Sequence, residues 1–432
     1  MSYSDAISFI ESSKKYGSKP GLERITRLCS MAGDPQDGVP AVHVAGTNGK
    51  GSTSAMIASI LSAAGYKTGL YISPYVEDVC ECAQINGVSI THREFAFIAA
   101  DIRKWAEQMA GEGAPPTEFE IETAIAFLWF RRSGCDIAVI ETGLGGRLDA
   151  TNVIKQPLVS VLTSISLDHT SILGGTISEI ATEKCGILKP GDITVSYPLQ
   201  PPDAQAVIAE YARKTENTLV LPDAGRIRFS HAGLDGTGII YKGLNLHIPF
   251  IGRHQAYNAV TAVETALALR ERRGFVLSDG NIADGIKNAW IPLRQEAVCR
   301  NPIILLDGAH NPDGLAALAD TMKSGLAGRR LAVVMGMLAD KEYQKSIALI
   351  APLCGRFIAS KPANLRALPS KAAADCAKPF CDDVSVEDNH FKALTEAVLY
   401  AGRDGAVVVC GSLYLAGQVR RAFFEDLQKF ER

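Results

Sequence analysis

The sequence lacks several features that would place it in a specialised class of protein. Its ten cysteines include no C-x-x-C pair, so the sequence itself spells out neither a zinc site nor a disulfide framework. No apolar run approaches the ~20 residues that cross a bilayer, and the first residues show no basic region followed by an apolar core. The sequence contains no block of basic residues that could bind along a nucleic-acid backbone, and the net charge is only −3. We therefore expect a cytoplasmic globular protein with no nucleic-acid or membrane partner.

What is present is a long chain of alternating short and long apolar segments. At 432 residues it is expected to form two or three domains. Short β-branched runs alternate with amphipathic ones, which is typical of an α/β fold with a mostly parallel sheet. In the first half, the predicted strands are Ala41–Val44, Thr68–Ile72, Ile137–Glu141, Leu158–Thr163 and Ile193–Ser196, and the predicted helices are 52–64, 119–132, 176–186 and 203–214.

The pattern changes between 222 and 250, where polar and apolar residues alternate among glycines, and this indicates antiparallel strands at the edge of the sheet or on a small flap. Helices at 254–272 and 281–289 follow, and the α/β alternation restarts near 300. We predict a first domain of residues 1–296 and a smaller Rossmann-like α/β domain of residues 297–432, with a substrate cleft between them. The predicted elements of the second domain are strands Ile303–Leu306, Leu331–Met335, Arg356–Ser360 and Ala406–Cys410, and helices near 312–325, 341–351, 390–402 and 414–429.

The most informative segment is His43–Thr53, where a strand ends in a glycine-rich turn and a helix opens with a lysine and two hydroxyls. Backbone N–H groups of such a turn approach phosphate oxygens, and Lys50 can bridge the outer phosphates. The segment departs from the common P-loop, because Val44 stands where its first glycine would fall and Gly51 separates Lys50 from Ser52. It predicts a first domain with a sheet of the P-loop ATPase type. A glycine-rich turn that closes a strand–helix unit without binding anything is the alternative.

Polar side chains also follow other predicted strands. Glu141 closes one strand and opens a glycine-rich loop at 142–152, and Asp168-His169 follow another strand. A carboxylate suits Mg²⁺, so Glu141 is a candidate metal ligand. His169 is left open between a ligand and a core histidine, since Mg²⁺ prefers oxygen. Arg147 is either a surface charge or the partner of a substrate carboxylate or phosphate.

A similar design recurs in the second predicted domain at Leu306–Pro312, where a strand is followed by Asp307, a glycine and a helix with proline in its first turn. An aspartate in this position often binds ribose hydroxyls, and an Asx or N-cap turn is the alternative. The residues alone therefore predict a two-domain Mg·ATP enzyme and leave the phosphoryl acceptor undefined.

The ordered set of motifs resembles the folylpolyglutamate synthase/dihydrofolate synthase branch of the Mur ligase superfamily, from Gly21 to about Arg420. The segments that carry the resemblance are His43–Thr53, Ile72-Ser73-Pro74, Glu141–Asn152, Asp168–Gly174, Glu183–Ile187, Asn258, Leu306–Pro312 and Cys410–Tyr414. The resemblance implies a Mur-ligase-like ATP-binding domain, a C-terminal glutamate ligase domain, and ATP-dependent joining of L-glutamate to dihydropteroate or to tetrahydrofolate through an acyl phosphate. Bacterial relatives often perform both reactions, and we predict a bifunctional, monomeric enzyme of folate biosynthesis.

The same resemblance implies roles for individual residues. Lys50, Glu141, His169, Lys184 and His310 are the implied catalytic residues, and a carbamylated Lys184 would serve a second Mg²⁺; a monovalent cation is a further expectation. The implied nucleotide ligands are Thr47, Asn48, Gly49, Lys50, Gly51, Ser52, Asn258, Arg294 and Asp307. The implied metal ligands are Ser73, Glu141, His169 and Lys184. The implied contacts with the pterin acid are Thr117, Phe119, Arg147, Leu148, Asp149 and Ala150.

Two departures from the family pattern affect these expectations. The chain reads Pro292-Leu293-Arg294-Gln295-Glu296 where the family has P-G-R followed by an apolar residue and an acid, so the placement of Arg294 depends on how Leu293 replaces glycine. The loop Tyr75–Asp78 lacks the frequent His-Leu after Ser-Pro. Two other functions stay open: a Mur-type ligase for a UDP-linked cell-wall precursor, which usually carries an additional N-terminal domain, and a nucleotide-binding relative without turnover.

Overall fold

The computed structural model describes residues 1–17 and 19–430. The chain forms two compact units, one of residues 1–228, 240–246 and 257–289, and one of residues 229–239, 247–256 and those from Trp290 onward. The last boundary between the two units lies between Ala289 and Trp290, and two earlier segments belong to the second unit. The predicted domain boundary at residue 296 stays a prediction. None of the described helices combines the length and the hydrophobicity that a membrane-spanning segment needs.

The first unit is built on an eight-stranded sheet with the order β4-β3-β2-β5-β1-β6-β7-β8. All neighbouring pairs from β2 to β8 are parallel, and β3 and β4 add an antiparallel edge. Its strands are β1 Ala41–Ala45, β2 Thr68–Tyr71, β3 Ala83–Ile85, β4 Val88–Ser89, β5 Ile137–Glu141, β6 Val159–Leu162, β7 Ile193–Ser196 and β8 Thr218–Val220.

Several helices of this part of the chain begin at a side-chain cap. Thr117 caps the N-terminus of α5, and Thr176 caps that of α7, each in a reciprocal capping box with a glutamate three residues later. Residues 120–130 of α5 are all buried, so this helix forms the centre of an apolar core. The helices are α1 Tyr3–Ser12, α2 Glu23–Met31, α3 Lys50–Ala63, α4 His92–Gly111, α5 Glu118–Arg132, α6 Thr170–Leu173, α7 Ile177–Cys185, α8 Pro202–Lys214, α9 His254–Arg273 and α10 Asp279–Asn288.

The predicted change of pattern after residue 222 corresponds to a separate three-stranded sheet. Its strands β9 Arg228–Gly233, β10 Gly236–Tyr241 and β11 Leu244–Ile248 lie in the order β11-β10-β9. Two-residue connections join successive strands, which requires neighbouring strands to run antiparallel. The predicted antiparallel strands are therefore confirmed, in a sheet of their own.

The second unit contains a six-stranded sheet with the order β12-β13-β17-β14-β15-β16. All pairs are parallel except β12 with β13. Its strands are β12 Glu296–Arg300, β13 Ile303–Leu306, β14 Leu331–Met335, β15 Arg356–Ala359, β16 Val384–Val386 and β17 Ala406–Cys410, and its helices are α11 Pro312–Gly325, α12 Tyr343–Ile350, α13 Ser370–Ala377, α14 His390–Ala401 and α15 Leu413–Phe430. The predicted α/β fold with a mostly parallel sheet in each half is confirmed.

Candidate active site

The glycine-rich turn lies at the carboxyl end of β1, in the middle of the first sheet. The N–H groups of Thr47 and Asn48 both donate to the carbonyl of Ser164, at 2.7 and 3.2 Å. The Thr47 hydroxyl also donates to the carbonyl of Ser166 and accepts from its N–H, each at 3.1 Å. The loop that follows β6 therefore fixes the start of the turn, and the next residues are left to open α3 at Lys50.

Gly49 precedes Lys50 in the left-handed conformation, with φ +85°. A β-carbon at this position would lie 2.3 Å from Oδ1 of Asn258, which comes from α9. Only glycine allows this approach, because any side chain would displace the amide. The structure thus brings together two of the predicted nucleotide ligands, Gly49 and Asn258.

Lys50 and Glu141 face each other at the ends of adjacent strands. The register pairs Val44 of β1 with Glu141 of β5, so Glu141 lies beside the turn. Lys50 Nζ lies 3.9 Å from Glu141 Oε1 and donates to the carbonyl of Thr47 at 3.3 Å. Both side chains are largely buried, at 17% and 5% exposure, which strengthens their electrostatic interaction.

The predicted metal ligands also follow strand ends of this sheet. Ser73 comes two residues after β2, and its buried Oγ has no hydrogen-bond partner among the described residues. His169 has a left-handed backbone with φ +50°, and its Nε2 lies 3.9 Å from the neighbouring carboxylate of Asp168. A buried hydroxyl and the Glu141 carboxylate are oxygen donors of the kind Mg²⁺ prefers, so the residues present fit a magnesium site.

Lys184 lies in the last turn of α7 and is almost fully buried. Its Nζ donates to the carbonyl of Gly46 at 2.7 Å, which places the amine directly under the turn. Burial and, to a smaller extent, the nearby Lys50 ammonium lower the pKa of Lys184 to about 7, against the opposite effects of Asp168 and Asp149. The lowered pKa favours the uncharged amine, which is the form that carbamylation needs.

The loop after β5 packs tightly on the end of α7. A β-carbon on Gly146 would lie 2.7 Å from the carbonyl oxygen of Lys184, and one on Gly186 would lie 2.4 Å from Cα of Arg147. The Arg147 guanidinium donates to Glu183 at 2.8 Å, and its side chain is half exposed. Two backbones in direct contact explain why both segments are glycine-rich.

Asp149 holds the loop from inside. Its buried carboxylate accepts from the N–H of Leu144 at 2.8 Å and from the N–H and hydroxyl of Thr151 at 3.0 and 2.5 Å. Burial raises the pKa of Asp149, while these donors oppose the rise. The geometry assigns Asp149 a structural part in the loop, with Leu148 exposed and Ala150 buried beside it; the pterin-acid role of all three stays a prediction.

The other predicted pterin-acid contacts lie at the start of α5. The Thr117 side chain is buried and caps this helix. The Phe119 ring covers Gly143, where a β-carbon would lie 2.5 Å from its Cζ. Phe119 therefore lies against the loop that carries Arg147 and Asp149, whereas the Thr117 hydroxyl is occupied by the helix N-terminus.

In the second unit, Asp307 follows β13 and is buried. Its Oδ1 accepts from the N–H of Ala309 at 2.9 Å, which is the Asx turn left open by the sequence. Burial raises the pKa of Asp307 to about 6, while Arg294, His310 and a hydrogen bond from Gln295 oppose the rise. The structure thus brings three predicted site residues together, because Asp307, Arg294 and His310 are close enough to interact.

Comparison with protein-family models and known proteins identifies the chain. Residues 44–266 match the Mur ligase middle domain, and residues 293–413 match the Mur ligase, glutamate ligase domain. The dihydrofolate synthase/folylpolyglutamate synthase of Bacillus subtilis is 37% identical over 97% of this chain and 98% of its own length. The chain belongs to the folylpolyglutamate/dihydrofolate synthase branch of the Mur ligase family. The predicted family is confirmed.

Solved structures of similar ligases cover nearly the whole chain. The folylpolyglutamate synthase of Mycobacterium tuberculosis, crystallised with ADP and AMPPCP, has a TM-score of 0.87 and 29% identity over 97% of this chain and 99% of its own. An Escherichia coli protein crystallised with DHPP and ADP has a TM-score of 0.87 and 28% identity over 99% of each chain. Both solved structures hold an adenine nucleotide, and both match this Mur ligase over nearly its full length.

The ligase accommodates Leu293 in a way the sequence did not predict. Leu293 adopts the left-handed conformation with φ +58° and is completely buried. Its carbonyl accepts from the N–H of Gly308 at 2.9 Å, and its N–H donates to Glu296 at 3.1 Å. Leucine thus takes the backbone conformation that the family's glycine favours, and Arg294 still lies beside Asp307.

We expect Leu293→Gly to be less destabilising than Leu293→Ala. Both variants lose a buried side chain, at a cost of about 2–5 kcal/mol, but only alanine keeps the left-handed strain of roughly 1 kcal/mol. Thermal unfolding should show the Tm of Leu293→Gly about 2–4 °C above that of Leu293→Ala. A higher Tm for Leu293→Ala than for Leu293→Gly is usual at positions with negative φ, and it would show that the backbone at residue 293 is not strained.

Sequence reasoning missed Gln295, which contacts the predicted nucleotide ligand Asp307. Gln295 is buried with φ +53°, and it donates a hydrogen bond to the Asp307 carboxylate. Its Oε1 has no partner among the described residues. The sequence did contain a signal for Gln295, because this chain has a polar residue where the family pattern has an apolar one.

Proposed function

We propose that this chain is an ATP-dependent ligase that joins L-glutamate to the carboxylate of a pteroate or folate. The observation that carries the proposal is the buried Lys184 amine beneath the turn that carries Lys50, with Glu141 beside it. Its similarity over nearly the full length to a dihydrofolate synthase/folylpolyglutamate synthase supports the substrate class.

The reaction must activate a carboxylate, which is a poor electrophile. The carboxylate oxygen attacks the γ-phosphorus of ATP and forms a new P–O bond, while the bond between the γ-phosphorus and the bridging oxygen breaks. ADP departs, and the product is an acyl phosphate. The glutamate amine then attacks the acyl carbon, the C–O bond breaks, inorganic phosphate departs, and the amine loses its proton to solvent. Lys50 and the N–H groups at the start of α3 stabilise the negative charge on the phosphoryl oxygens during transfer.

The remaining residues hold the reactants. Ser73, Glu141 and His169 would hold one Mg²⁺, and carbamylated Lys184 would contribute to a second; bound Mg²⁺ neutralises phosphate charge. The full nucleotide set is proposed to comprise Thr47, Asn48, Gly49, Lys50, Gly51, Ser52, Asn258, Arg294 and Asp307. His310 is proposed to lie beside the transferring group, and its Nδ1 lies 2.9 Å from the carbonyl of Gly308, which fixes the ring.

Phosphate release from ATP tests the assignment. Purified protein is assayed with dihydropteroate, tetrahydrofolate or a UDP-sugar peptide, each with and without L-glutamate. We expect turnover only when a pteridine-bearing acid and L-glutamate are both present, with loss of activity when EDTA removes Mg²⁺. Turnover with the UDP-sugar peptide and with neither pteridine-bearing acid would show that the protein is a cell-wall ligase instead. Absence of turnover with all three acceptors would show that it is a nucleotide-binding relative without activity.

Product length distinguishes one activity from two. The chemistry is the same in both reactions, so a bifunctional enzyme accepts its own product as the next acid. We expect mass spectrometry to detect dihydrofolate from dihydropteroate, and tetrahydrofolate products extended by at least one glutamate. A product series that stops at one glutamate would exclude the extension activity.

A further inference from the structure

The loop at Tyr75–Asp78, which departs from the family pattern, leads into a group of unlike donor atoms. A carboxylate oxygen of Asp78, the sulfur of Cys80 and a ring nitrogen of His92 all lie within 4.8 Å of one another. Asp78 and Cys80 belong to the short helical turn around Val79–Cys82, and His92 is the first residue of α4. None of the three is among the residues proposed to hold Mg²⁺ or nucleotide.

Neighbouring groups orient two of these donors. Oδ1 of Asp78 accepts from the Tyr3 hydroxyl at 2.7 Å and from the N–H of Cys80 at 2.8 Å. Oδ2 is thereby directed at Nε2 of His92, which lies 2.9 Å away. The Tyr3 ring stacks on the His92 ring at 3.8 Å between centroids and 9° between planes. The carboxylate and the imidazole are thus held in place from outside the group, as is common around metal ligands.

One acidic side chain holds the loop by hydrogen bonds. The Glu81 carboxylate accepts from three successive backbone N–H groups, those of Val76, Glu77 and Asp78, at 2.8, 3.1 and 3.0 Å. Because Glu81 is engaged in this way, it does not compete as a ligand. Cys80 is buried, whereas the side chains of His92 and Asp78 are 61% and 36% exposed, so an ion has access from one side.

We propose that Asp78, Cys80 and His92 form a transition-metal site of the Zn²⁺ class, with solvent at the remaining position. A thiolate and an imidazole select Zn²⁺ or Co²⁺ over Mg²⁺, and one carboxylate completes a three-residue ligand set. Ligands about 2.0–2.3 Å from a tetrahedral ion lie roughly 3–4 Å apart, so the group needs only small side-chain adjustments. Binding releases the Cys80 thiol proton to solvent and replaces the hydrogen bond between Asp78 and His92 with two bonds to the ion.

Titration of the purified, metal-free chain with Co²⁺ tests the site. We expect about one equivalent to bind with an absorption band from thiolate-to-cobalt charge transfer, and we expect Zn²⁺ to displace it. Cys80→Ala should abolish the band, and His92→Ala should weaken binding by about tenfold or more. Cys82→Ala is the matched control, because Cys82 is a buried thiol on the same turn outside the group, and its band should be unchanged.

A stability measurement makes the test independent of the spectrum. Zn²⁺ should raise the Tm of the wild type and of Cys82→Ala, and leave that of Cys80→Ala unchanged, because only a site present in the folded chain stabilises it. All three proteins should keep ligase turnover with Mg²⁺. Absence of a charge-transfer band in the folded wild type, or a band that persists in Cys80→Ala, would overturn the site without bearing on the ligase function.

Discussion

Lys50→Ala is expected to reduce ATP turnover by about 10²–10³-fold or more while the protein keeps its fold. The Lys50 ammonium lies 3.3 Å from the Thr47 carbonyl and 3.9 Å from the Glu141 carboxylate, and its removal takes no side chain out of the apolar core. What is lost is the positive charge that opposes the growing negative charge on the transferred phosphoryl group. Steady-state phosphate release gives kcat, and circular dichroism with thermal unfolding checks the fold.

Lys155→Ala is the matched control, since it also removes one lysine charge. Lys155 is 69% exposed and pairs with Asp37 on the surface, where an ion pair contributes little. Its turnover should equal that of the wild type. A near-normal kcat in Lys50→Ala would show that the glycine-rich turn does not act on a triphosphate in the proposed way.

Lys184→Ala is expected to lose activity to a similar extent, and short carboxylic acids such as formate or acetate should restore part of it. The proposed carbamate supplies an anionic oxygen, and a small carboxylate can occupy the space that the shortened side chain leaves. Lys184→Arg keeps the positive charge but cannot form the carbamate, so it should be inactive and resist rescue. Full activity in Lys184→Ala would show that no carbamate is needed.

Lys184 also determines how carbamate formation depends on pH. Carbon dioxide reacts with the neutral amine, and the pKa of Lys184 is lowered to about 7. The carbamate should therefore form more completely as pH rises through 7 and be lost as pH falls below it. The carbamate resonance in ¹³C NMR with labelled bicarbonate reports this directly. Lys50→Ala removes one of the causes of the shift, so its transition should move to higher pH.

The sequence predicted best where a residue's role follows from its place at a strand end. β5, β7, β13, β14 and β17 have the predicted bounds, because short β-branched runs that are buried on both faces leave few alternatives. Polar residues that directly follow such strands lie at one edge of a parallel sheet, and this brings Glu141 to the turn at Lys50. Helix α3 begins two residues before its predicted start, since the left-handed Gly49 caps it.

Other features depend on contacts that no local pattern records. β12 exists because it pairs antiparallel with β13 across an irregular register, and its partly buried residues show no clear alternation. The pKa of Lys184 depends on its burial and on Lys50, which is far away in the chain. Leu293 adopts a left-handed backbone that its sequence disfavours, because the second unit buries its side chain and uses its carbonyl. The long helix α4, by contrast, has a Thr91–Glu94 capping box that the sequence analysis overlooked.

The contact of Gly146 and Gly186 with the opposite backbone has a mechanical consequence. With no space for a β-carbon at either point, the segment that carries Arg147 cannot slide over the end of α7. If Arg147 contacts the acceptor acid, as predicted, a displacement of its backbone would be passed to the backbone of Lys184. Under the proposed roles of Arg147 and Lys184, binding of the acceptor and the position of the Lys184 side chain beneath the turn would therefore be mechanically coupled.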